Sequence, residues 1–327
     1  MRQPQVAAAL LTLTAALVLA APVVLAARAL VVSAAFVVEF VSDGDVPALT
    51  TLTAAPLTQT LDGTTDRYRP DGLASGAPLV LVHGLTPHGK DDPRLQRAAR
   101  LLARAGFDVA VPTIPGLTQG RLRPEDARPI VATLAARPEP AYVVSVSVGA
   151  APAFLAAADS AVAGRVRMLL ALGPHASALE LIRYHLTGSG AASGLRGPPR
   201  HPALARALIE ANADLADPAL RAALATGDAS HVDAAFATLP AHTRTLMALL
   251  SPAQTVRSIR APIVLVHGRD DAAVPYSQSL RLAAARPAHT RVVLVGAIAH
   301  VEGAAAGLRA AGDLVRLLGV VYGLVGR

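Results

Sequence analysis

The sequence predicts an α/β fold in which a mostly parallel sheet carries helices on both faces, with a helical cap insertion and an N-terminal transmembrane helix. From residue 78 onward, apolar runs typical of buried parallel strands alternate with segments of helical periodicity. The alternation stops between Pro174 and about Arg260, where short helices are predicted, and resumes at Pro262. Such an insertion would lie over the carboxyl ends of the strands, where open α/β sheets bind ligands.

The amino-terminal segment is long and apolar enough to cross a membrane. Between residues 6 and 38 the only charged residue is Arg28, and about 20 apolar residues span the hydrocarbon core of a bilayer. We therefore expect residues 1–40 to form an uncleaved, single-pass anchor that contacts the membrane through residues 6–38. The alternative is a signal peptide cleaved at Ala27-Arg28-Ala29, which would give a secreted protein. Arg2 precedes the apolar run and acidic residues follow it, which favours an extracytoplasmic position for the rest of the chain.

Residues 41–56 are predicted to be a linker, and residues 57–327 a single domain with its cap at about 174–260. Asp62-Gly63 predicts the turn of a hairpin over residues 57–69. Loops are expected at residues 112–120 and 188–199. The predicted strands are 78–82, 107–111, 141–146, 166–172, 262–266 and 291–295. The predicted helices are 92–105, 124–136, 151–158, 202–211, 218–225, 232–238, 242–250, 277–285 and 303–318.

Ser147 follows the predicted strand 141–146 and precedes an alanine-rich helix. A strand that turns directly into a helix bends sharply, and Ser145 and Gly149 are small enough to crowd that bend. The arrangement is the nucleophile elbow G-x-S-x-G with serine in place of the first glycine. It would set the Ser147 hydroxyl at a helix N-terminus, where backbone N–H groups favour a developing anion.

A serine hydroxyl needs a base to remove its proton and an acid to orient that base. Asp270 and Asp271 follow the strand at 262–266 and its turn glycine Gly268, and either could be the acid; we favour Asp271. His300 follows the next strand, 291–295, and is the expected base. The order nucleophile, acid, base along the chain is the one this architecture uses. The oxyanion needs two backbone donors, for which we expect the N–H groups of Val148 and Leu85.

These segments resemble the serine hydrolases of the α/β-hydrolase family, of the esterase, lipase and dienelactone-hydrolase-like kind. The matching pieces are His83-Gly84, Ser145-Val-Ser147-Val-Gly149, Gly268-x-x-Asp271-x-x-Val274-Pro275 and His300. The resemblance implies triad roles for Ser147, Asp271 and His300, and oxyanion roles for Leu85 and Val148. It also implies that His83 shapes the oxyanion loop. Two departures are Ser145 at the first elbow glycine and Ala299 before the base, where glycine is common.

Several other features have weaker functional readings. Ser145 is a rival nucleophile, but it lies inside the strand and lacks a glycine two residues later. His267 is expected to pack at a strand end. Gly84–Lys90 matches a phosphate-binding loop, but Asp91 stands where that motif needs a hydroxyl, and Pro87 removes an N–H donor. The sequence predicts no cofactor, and no metal site, because no two histidines share a helix face near a carboxylate.

Composition narrows the class of protein further. The formal net charge is +7, and Lys90 is the only lysine. Aromatic residues make up 3% with no tryptophan, so no stacking platform for single-stranded nucleic acid is expected. The chain has no cysteine, which excludes disulfides and a thiol nucleophile.

The predicted function is that of a membrane-anchored serine hydrolase cleaving a carboxylic ester, with a small-molecule or lipid-like substrate. The same triad would also serve an acyltransferase in which an alcohol replaces water. A binding protein that keeps the fold without turnover is a third hypothesis. Neither the acyl-chain length nor the oligomeric state follows from the sequence.

Overall fold

A computed structural model of the chain describes residues 3–71, 76–188, 202–216, 218–296, 298–299, 302–303 and 309–326. Its strands, in chain order, are β1 (Leu57–Leu61), β2 (Thr65–Arg69), β3 (Ala77–Val82), β4 (Phe107–Pro112), β5 (Ala141–Val146), β6 (Val166–Leu172), β7 (Ile263–Gly268), β8 (Thr290–Val295), β9 (Ile298–Ala299) and β10 (Glu302–Gly303). Its α-helices are α1 (Gln3–Val41), α2 (Ala48–Leu52), α3 (Pro93–Arg104), α4 (Pro115–Gln119), α5 (Arg128–Ala135), α6 (Ala150–Ala158), α7 (Ala178–Thr187), α8 (Pro202–Ala211), α9 (Pro218–Ala225), α10 (Ala229–Ala237), α11 (Ala241–Leu249), α12 (Pro252–Thr255), α13 (Ser277–Ala285) and α14 (Arg309–Val325).

Eight strands form the main sheet in the order β1-β2-β4-β3-β5-β6-β7-β8. The hairpin β1-β2 adds to β4 in antiparallel fashion, and the strands from β4 to β8 are parallel. The expected turn joins the hairpin, with Asp62 and Gly63 both at positive φ, +44° and +76°. The predicted mostly parallel α/β sheet is therefore confirmed.

Each face of the sheet has its own hydrophobic core. One core joins the sheet to α1, α3 and α14, and the other joins it to α5, α6 and α13. Alternate residues of one strand serve the two cores, so that Leu81 of β3 belongs to the first and Val80 and Val82 to the second. This alternation explains why the central strands are apolar at every position.

The end of α1 is part of the folded domain. Ala29, Ser33, Ala35 and Val37 are buried, and the carboxylate of Glu39 accepts hydrogen bonds from the Thr50 N–H (2.8 Å) and hydroxyl (2.5 Å). Before this part the helix side chains from residue 20 to 28 are exposed and mostly apolar. Among the described helices, α1 is the one long and apolar enough to cross a membrane, with Ala20–Val41 as the candidate stretch.

The segment predicted as a linker, 41–56, contains the short helix α2, whose Leu49 is fully buried. The predicted loop 112–120 contains the short helix α4, which starts at Pro115 and ends at Gln119, followed by Gly120 at φ +70°. The predicted helix at 124–136 begins with a 3-10 turn over Pro124–Ala127 before α5. The loop predicted at 188–199 lies almost entirely outside the described residues.

The insertion after β6 is helical, as predicted. It contains the predicted helices α8 to α11 and two helices that were not predicted: α7, capped by the Ser177 hydroxyl, and the short α12. α7 packs against α8 and α10, and apolar side chains of these helices form a separate small core.

The last helix differs from its prediction at both ends. Gly303 belongs to β10, and the described part of α14 starts at Arg309 and continues to Val325 instead of Leu318. Glycine inside a helix costs about 1 kcal/mol relative to alanine, and the part of α14 beyond Leu318 contains Gly319 and Gly323. Burial of Val320 and Leu324 against the sheet and α1 offsets that cost.

Candidate active site

Ser147 lies at a sharp bend between β5 and α6. Its φ is +53°, in the left-handed region, and a 3-10 turn over Ser147–Gly149 leads into the helix. A non-glycine residue in this region costs of order 1–3 kcal/mol and persists where the surrounding structure holds it. The backbone therefore has the strained strand-to-helix geometry of a nucleophile elbow.

Ser145 and Gly149, the small residues on either side of Ser147, are in different structural surroundings. Gly149 has an ordinary φ of −60°, but a Cβ at this position would lie 2.2 Å from the carbonyl oxygen of His83. Ser145 is fully buried within β5 between Val82 and Ala171, and its Oγ has no hydrogen-bond partner among the described residues. Its position inside the strand argues against a role as nucleophile.

The loop after β3 lies directly beside the elbow, because β3 and β5 are adjacent parallel strands with Val82 opposite Ser145. A Cβ on Gly84 would be 3.4 Å from Cβ of Ser147. Leu85, Ser147 and Val148 line the same cavity. The structure thus brings together the predicted nucleophile and the two predicted oxyanion donors.

His83 fixes the orientation of this loop. Its Nε2 accepts the Ile114 N–H at 2.9 Å, so the ring proton is on Nδ1, which donates to the Gly84 carbonyl at 2.7 Å. The described peptide bonds are all trans, so the Leu85 N–H points away from the Gly84 carbonyl that His83 holds. Burial lowers the pKa of His83 and keeps the ring neutral, as these two hydrogen bonds require.

Asp271 is the buried member of the aspartate pair. Its Oδ1 accepts from the Ala273 N–H (2.9 Å) and the Val274 N–H (2.8 Å), and its side chain is 1% exposed. Asp270 is exposed. A carboxylate that orients a base must be held in place and shielded from water, and of the two only Asp271 meets this condition.

His267 supports the Asp271 turn from within the core. Its Nε2 lies 2.7 Å from the Val274 carbonyl and 3.4 Å from Oδ2 of Asp271, and its Nδ1 lies 2.7 Å from the Ser279 hydroxyl. The Val274 carbonyl can only accept, so Nε2 is the protonated nitrogen. The strand-end packing predicted for His267 agrees with these contacts.

His300 lies outside the described residues, and so do Val301 and Ala297. The residues around it form a short antiparallel pair, with Ala299 of β9 opposite Glu302 of β10. The chain leaves β8 at Val295, which pairs with Gly268, and β9 contacts β7. The segment that carries His300 therefore starts at the end of the strand next to the Asp271 turn.

A family comparison agrees with this arrangement. The model of the alpha/beta hydrolase family matches residues 79–302, more than half of the chain. The chain belongs to the alpha/beta hydrolase family. The matched range begins in β3 and ends in β10, so it contains the elbow, the oxyanion loop and the Asp271 turn.

Solved structures with the same fold are only distantly related to this hydrolase. A 2,6-dihydroxy-pseudo-oxynicotine hydrolase is 17% identical (TM-score 0.51), with 88% of this chain and 72% of that one covered. A truncated carbohydrate esterase from gut microbiota is 13% identical (TM-score 0.50; 84% and 98% covered). The acylaminoacyl peptidase of Pyrococcus horikoshii is 14% identical (TM-score 0.50), with 84% of this chain covered, and the hydrolase spans 41% of its length. No curated protein matches the sequence.

A cavity of about 710 Å³ adjoins Ser147 in this hydrolase. Cap residues line one part of it, among them Leu181, Ile182 and Leu208. His175, between β6 and α7, also lines the cavity; it is fully buried and lies 3.2 Å from the Leu250 carbonyl through Nε2. Burial lowers its pKa to about 4, so the ring is neutral.

Sequence reasoning missed the part of the cavity wall that comes from the chain ends. Phe36, Val37 and Phe40 of α1 and Leu317 and Leu324 of α14 line it. Their spacing of three, four and seven residues is a helical-face pattern that could have indicated a buried stripe. In α1 nearly every neighbour is also apolar, so no stripe stands out.

The loop Gly84–Lys90, which matches a phosphate-binding motif, has charges that do not suit a phosphate. The Lys90 ammonium lies 2.9 Å from the Asp91 carboxylate and 3.3 Å from that of Asp66. Two carboxylates beside the lysine oppose phosphate binding. Within the described ranges, no cluster of three or more His, Cys, Asp or Glu side chains is placed to hold a metal ion.

Proposed function

We propose that this protein is a serine hydrolase that cleaves a carboxylic ester through an acyl-enzyme on Ser147. The observation that carries the proposal is the position of Ser147: a left-handed elbow residue, next to Gly84 of the oxyanion loop, on the wall of a large cavity. Asp271 is the proposed acid and His300 the proposed base. The N–H groups of Leu85 and Val148 are the proposed oxyanion donors.

In the proposed reaction His300 takes the proton from the Ser147 hydroxyl as its oxygen attacks the acyl carbon. The negative charge that develops on the acyl oxygen is stabilised by the two backbone N–H groups. The bond to the alcohol then breaks, and His300 gives the proton to the departing oxygen. Water repeats these steps on the acyl-enzyme and releases a carboxylic acid and the free serine.

We also propose that α1 anchors the enzyme in a membrane. Because one face of residues 29–41 is buried against the domain, we place the span within residues 3–28, which are about 39 Å long as a helix. That length exceeds the roughly 30 Å hydrocarbon core of a bilayer. The proposed topology is a single pass with the catalytic domain outside the cytoplasm.

Labelling with a fluorophosphonate probe tests the nucleophile. The wild-type protein should be labelled, and Ser147→Ala should abolish labelling, whereas Ser145→Ala, a change of the same size two residues away, should keep it. Labelling that survives Ser147→Ala would overturn the assignment.

Alkaline extraction of cell membranes, followed by intact-mass measurement, tests the anchor. The expected result is a protein that stays in the membrane fraction with the apolar segment attached. A soluble protein whose mass corresponds to a start near Ala29 would instead support the secreted form.

A further inference from the structure

The cavity next to Ser147 continues beneath the anchor helix. Its wall on this side comes from Phe36, Val37 and Phe40 of α1 and from Leu317, Val320 and Leu324 of α14. We call the space bounded by these six residues the α1 chamber. Ser147 and the α1 chamber belong to one continuous cavity of about 710 Å³, within the range of about 300–1,000 Å³ typical of small-molecule sites.

The floor of the α1 chamber is the sheet. Leu81, Val144, Leu170 and Val266, from four neighbouring strands, line the cavity and belong to the core that α1 and α14 share. Protein cores are normally packed to the density of organic crystals, with few voids larger than a water molecule. A cavity that extends between a sheet face and its covering helices, lined there by leucine, valine and phenylalanine, therefore fits an apolar ligand.

The charged residues on this side of the cavity are already paired. Glu39 accepts two hydrogen bonds from Thr50, and Asp43 pairs with Arg97. A charged ligand group would have to displace one of these contacts to gain a partner. The α1 chamber thus favours an uncharged hydrocarbon chain.

The cap side of the cavity has polar residues of its own. His175, Arg123 and Asp126 line it together with apolar residues. Two parts of an ester therefore meet different surroundings on either side of Ser147. The hydrocarbon part suits the α1 chamber, and the alcohol or head-group part suits the cap side.

The same helix that encloses the α1 chamber presents an exposed apolar surface. Val23, Val24 and Leu25 are 69%, 63% and 62% exposed, on the stretch assigned above to the membrane. From Leu25 to Phe36 is 11 residues, or about 17 Å along a helix. An acyl chain leaving the bilayer along α1 would reach the chamber over a short path.

We propose that the α1 chamber binds the fatty acyl chain of a membrane lipid ester, and that Ser147 cleaves this acyl group from its alcohol. The inference rests on the acyl-enzyme proposed above and adds the substrate class. In this proposal α1 has two roles. It anchors the enzyme in the membrane that contains the substrate, and it forms one wall of the site that binds the acyl chain.

Turnover of esters of increasing acyl length tests the chamber. Full-length protein in nanodiscs is assayed with 4-nitrophenyl esters from acetyl to palmitoyl, all with the same leaving group. Leu317→Phe and Val320→Phe, which narrow the chamber, should keep activity on short acyl groups and lose at least tenfold in kcat/KM on long ones. Val315→Phe, on the same helix but 68% exposed, is the matched control and should behave as wild type.

A second series keeps the acyl group as acetyl and lengthens the alcohol. The narrowing variants should treat these esters as wild type does. If they lose activity on long alcohols, or lose short and long acyl esters equally, the acyl assignment to the α1 chamber is overturned.

Photo-crosslinking gives a readout that needs no turnover. Ser147→Ala protein in vesicles is irradiated with a diazirine-bearing phosphatidylcholine, and the labelled peptides are identified by mass spectrometry. The expected labels lie in residues 36–40 and 317–324 as well as on the lipid-facing part of α1. Labels confined to residues 20–31 would mean that lipid contacts only the outside of the helix, and would contradict the chamber proposal even if the enzyme cleaves esters.

The source of the acyl group is tested by competition. Phosphatidylcholine vesicles should inhibit hydrolysis of the 4-nitrophenyl ester. The same acyl group supplied as a water-soluble thioester should inhibit it less. Preference for the soluble thioester would overturn delivery from the membrane. If wild-type protein takes no fluorophosphonate label while crosslinks appear at residues 317–324, the acyl-enzyme fails and the chamber stands as a lipid-binding site.

Discussion

The backbone of Gly149 lies so close to the backbone of His83 that no side chain fits between them. A Cβ on Gly149 would lie 2.2 Å from the His83 carbonyl oxygen and 3.0 Å from its carbonyl carbon. The contact joins the turn after the nucleophile to the loop that supplies the second oxyanion donor. Glycine is needed here because of this close approach, since its φ of −60° suits any residue.

Gly149→Ala should therefore push the oxyanion loop away from the elbow. Overpacking of this kind costs about 1–3 kcal/mol, and the displaced loop should lower kcat on a short 4-nitrophenyl ester at least tenfold. Gly164→Ala is the matched control, because nothing lies within 4 Å of a Cβ there. Thermal unfolding and kcat measured side by side check the prediction, and a Gly149→Ala enzyme with wild-type kcat would contradict it.

His83 is predicted to act on the reaction through the Leu85 N–H. His83→Ala removes the donor that holds the Gly84 carbonyl, so the peptide that carries the Leu85 N–H is free to turn. Loss of one oxyanion donor costs about 100- to 1,000-fold in kcat in other enzymes, and a misoriented one should cost about 10- to 100-fold.

The kinetic constants separate this positioning role from general destabilisation. The bound substrate carries no oxyanion, which forms on the way to the tetrahedral intermediate, so kcat should fall while KM changes little. His88→Ala, on the same loop with an exposed side chain, is the control. A rise in KM at unchanged kcat would argue against the role.

Asp271 and Asp270 give a matched pair of substitutions. Asp271→Asn removes the charge from a carboxylate that is 1% exposed and held by two N–H groups, and should lower kcat at least 100-fold. Asp270→Asn, at an exposed position, should change kcat less than twofold. Steady-state kinetics on one short ester decides between them; a greater loss in the Asp270 variant would reassign the acid.

Most of the sheet could be predicted because its central strands follow from one physical requirement. A strand buried on both faces must be apolar throughout, and the predicted bounds of β5 (Ala141–Val146) and β6 (Val166–Leu172) coincide with those observed. The elbow and the Asp271 turn could be predicted because each needs small or polar residues at fixed places beside a strand end.

The chamber could not be predicted, because it depends on how the two chain ends pack. In α1 almost every position is apolar, and the same residues would suit lipid and protein interior equally. The choice between them depends on α14, which begins 268 residues after the end of α1. His175 was missed for a related reason: only the fold brings the Leu250 carbonyl to its ring.

The buried His175 makes the stability of the protein depend on pH. Its Nε2 reaches the Leu250 carbonyl, whereas its Nδ1 is buried without a hydrogen-bond partner among the described residues. Burial lowers the pKa of His175 from 6.5 to about 4, because the charged ring would lose its hydration and its second proton, on Nδ1, meets no acceptor among the described residues. Between these values the unfolded chain binds a proton that the folded chain does not, and stability is lost as the pH falls.

His175→Gln keeps a donor for Leu250 and removes the titration. Lowering the pH from 7.5 to 4.5 should cost the wild type roughly 2–3 kcal/mol more in free energy of unfolding than it costs this variant. Burial also lowers the pKa of His83, so both proteins will lose some stability in acid, and the difference between them isolates His175. Urea unfolding in one detergent at the two pH values measures it, with His231→Gln, exposed in the cap, as the control that should follow the wild type. Equal losses in wild type and His175→Gln would show that the buried ring does not set the acid stability.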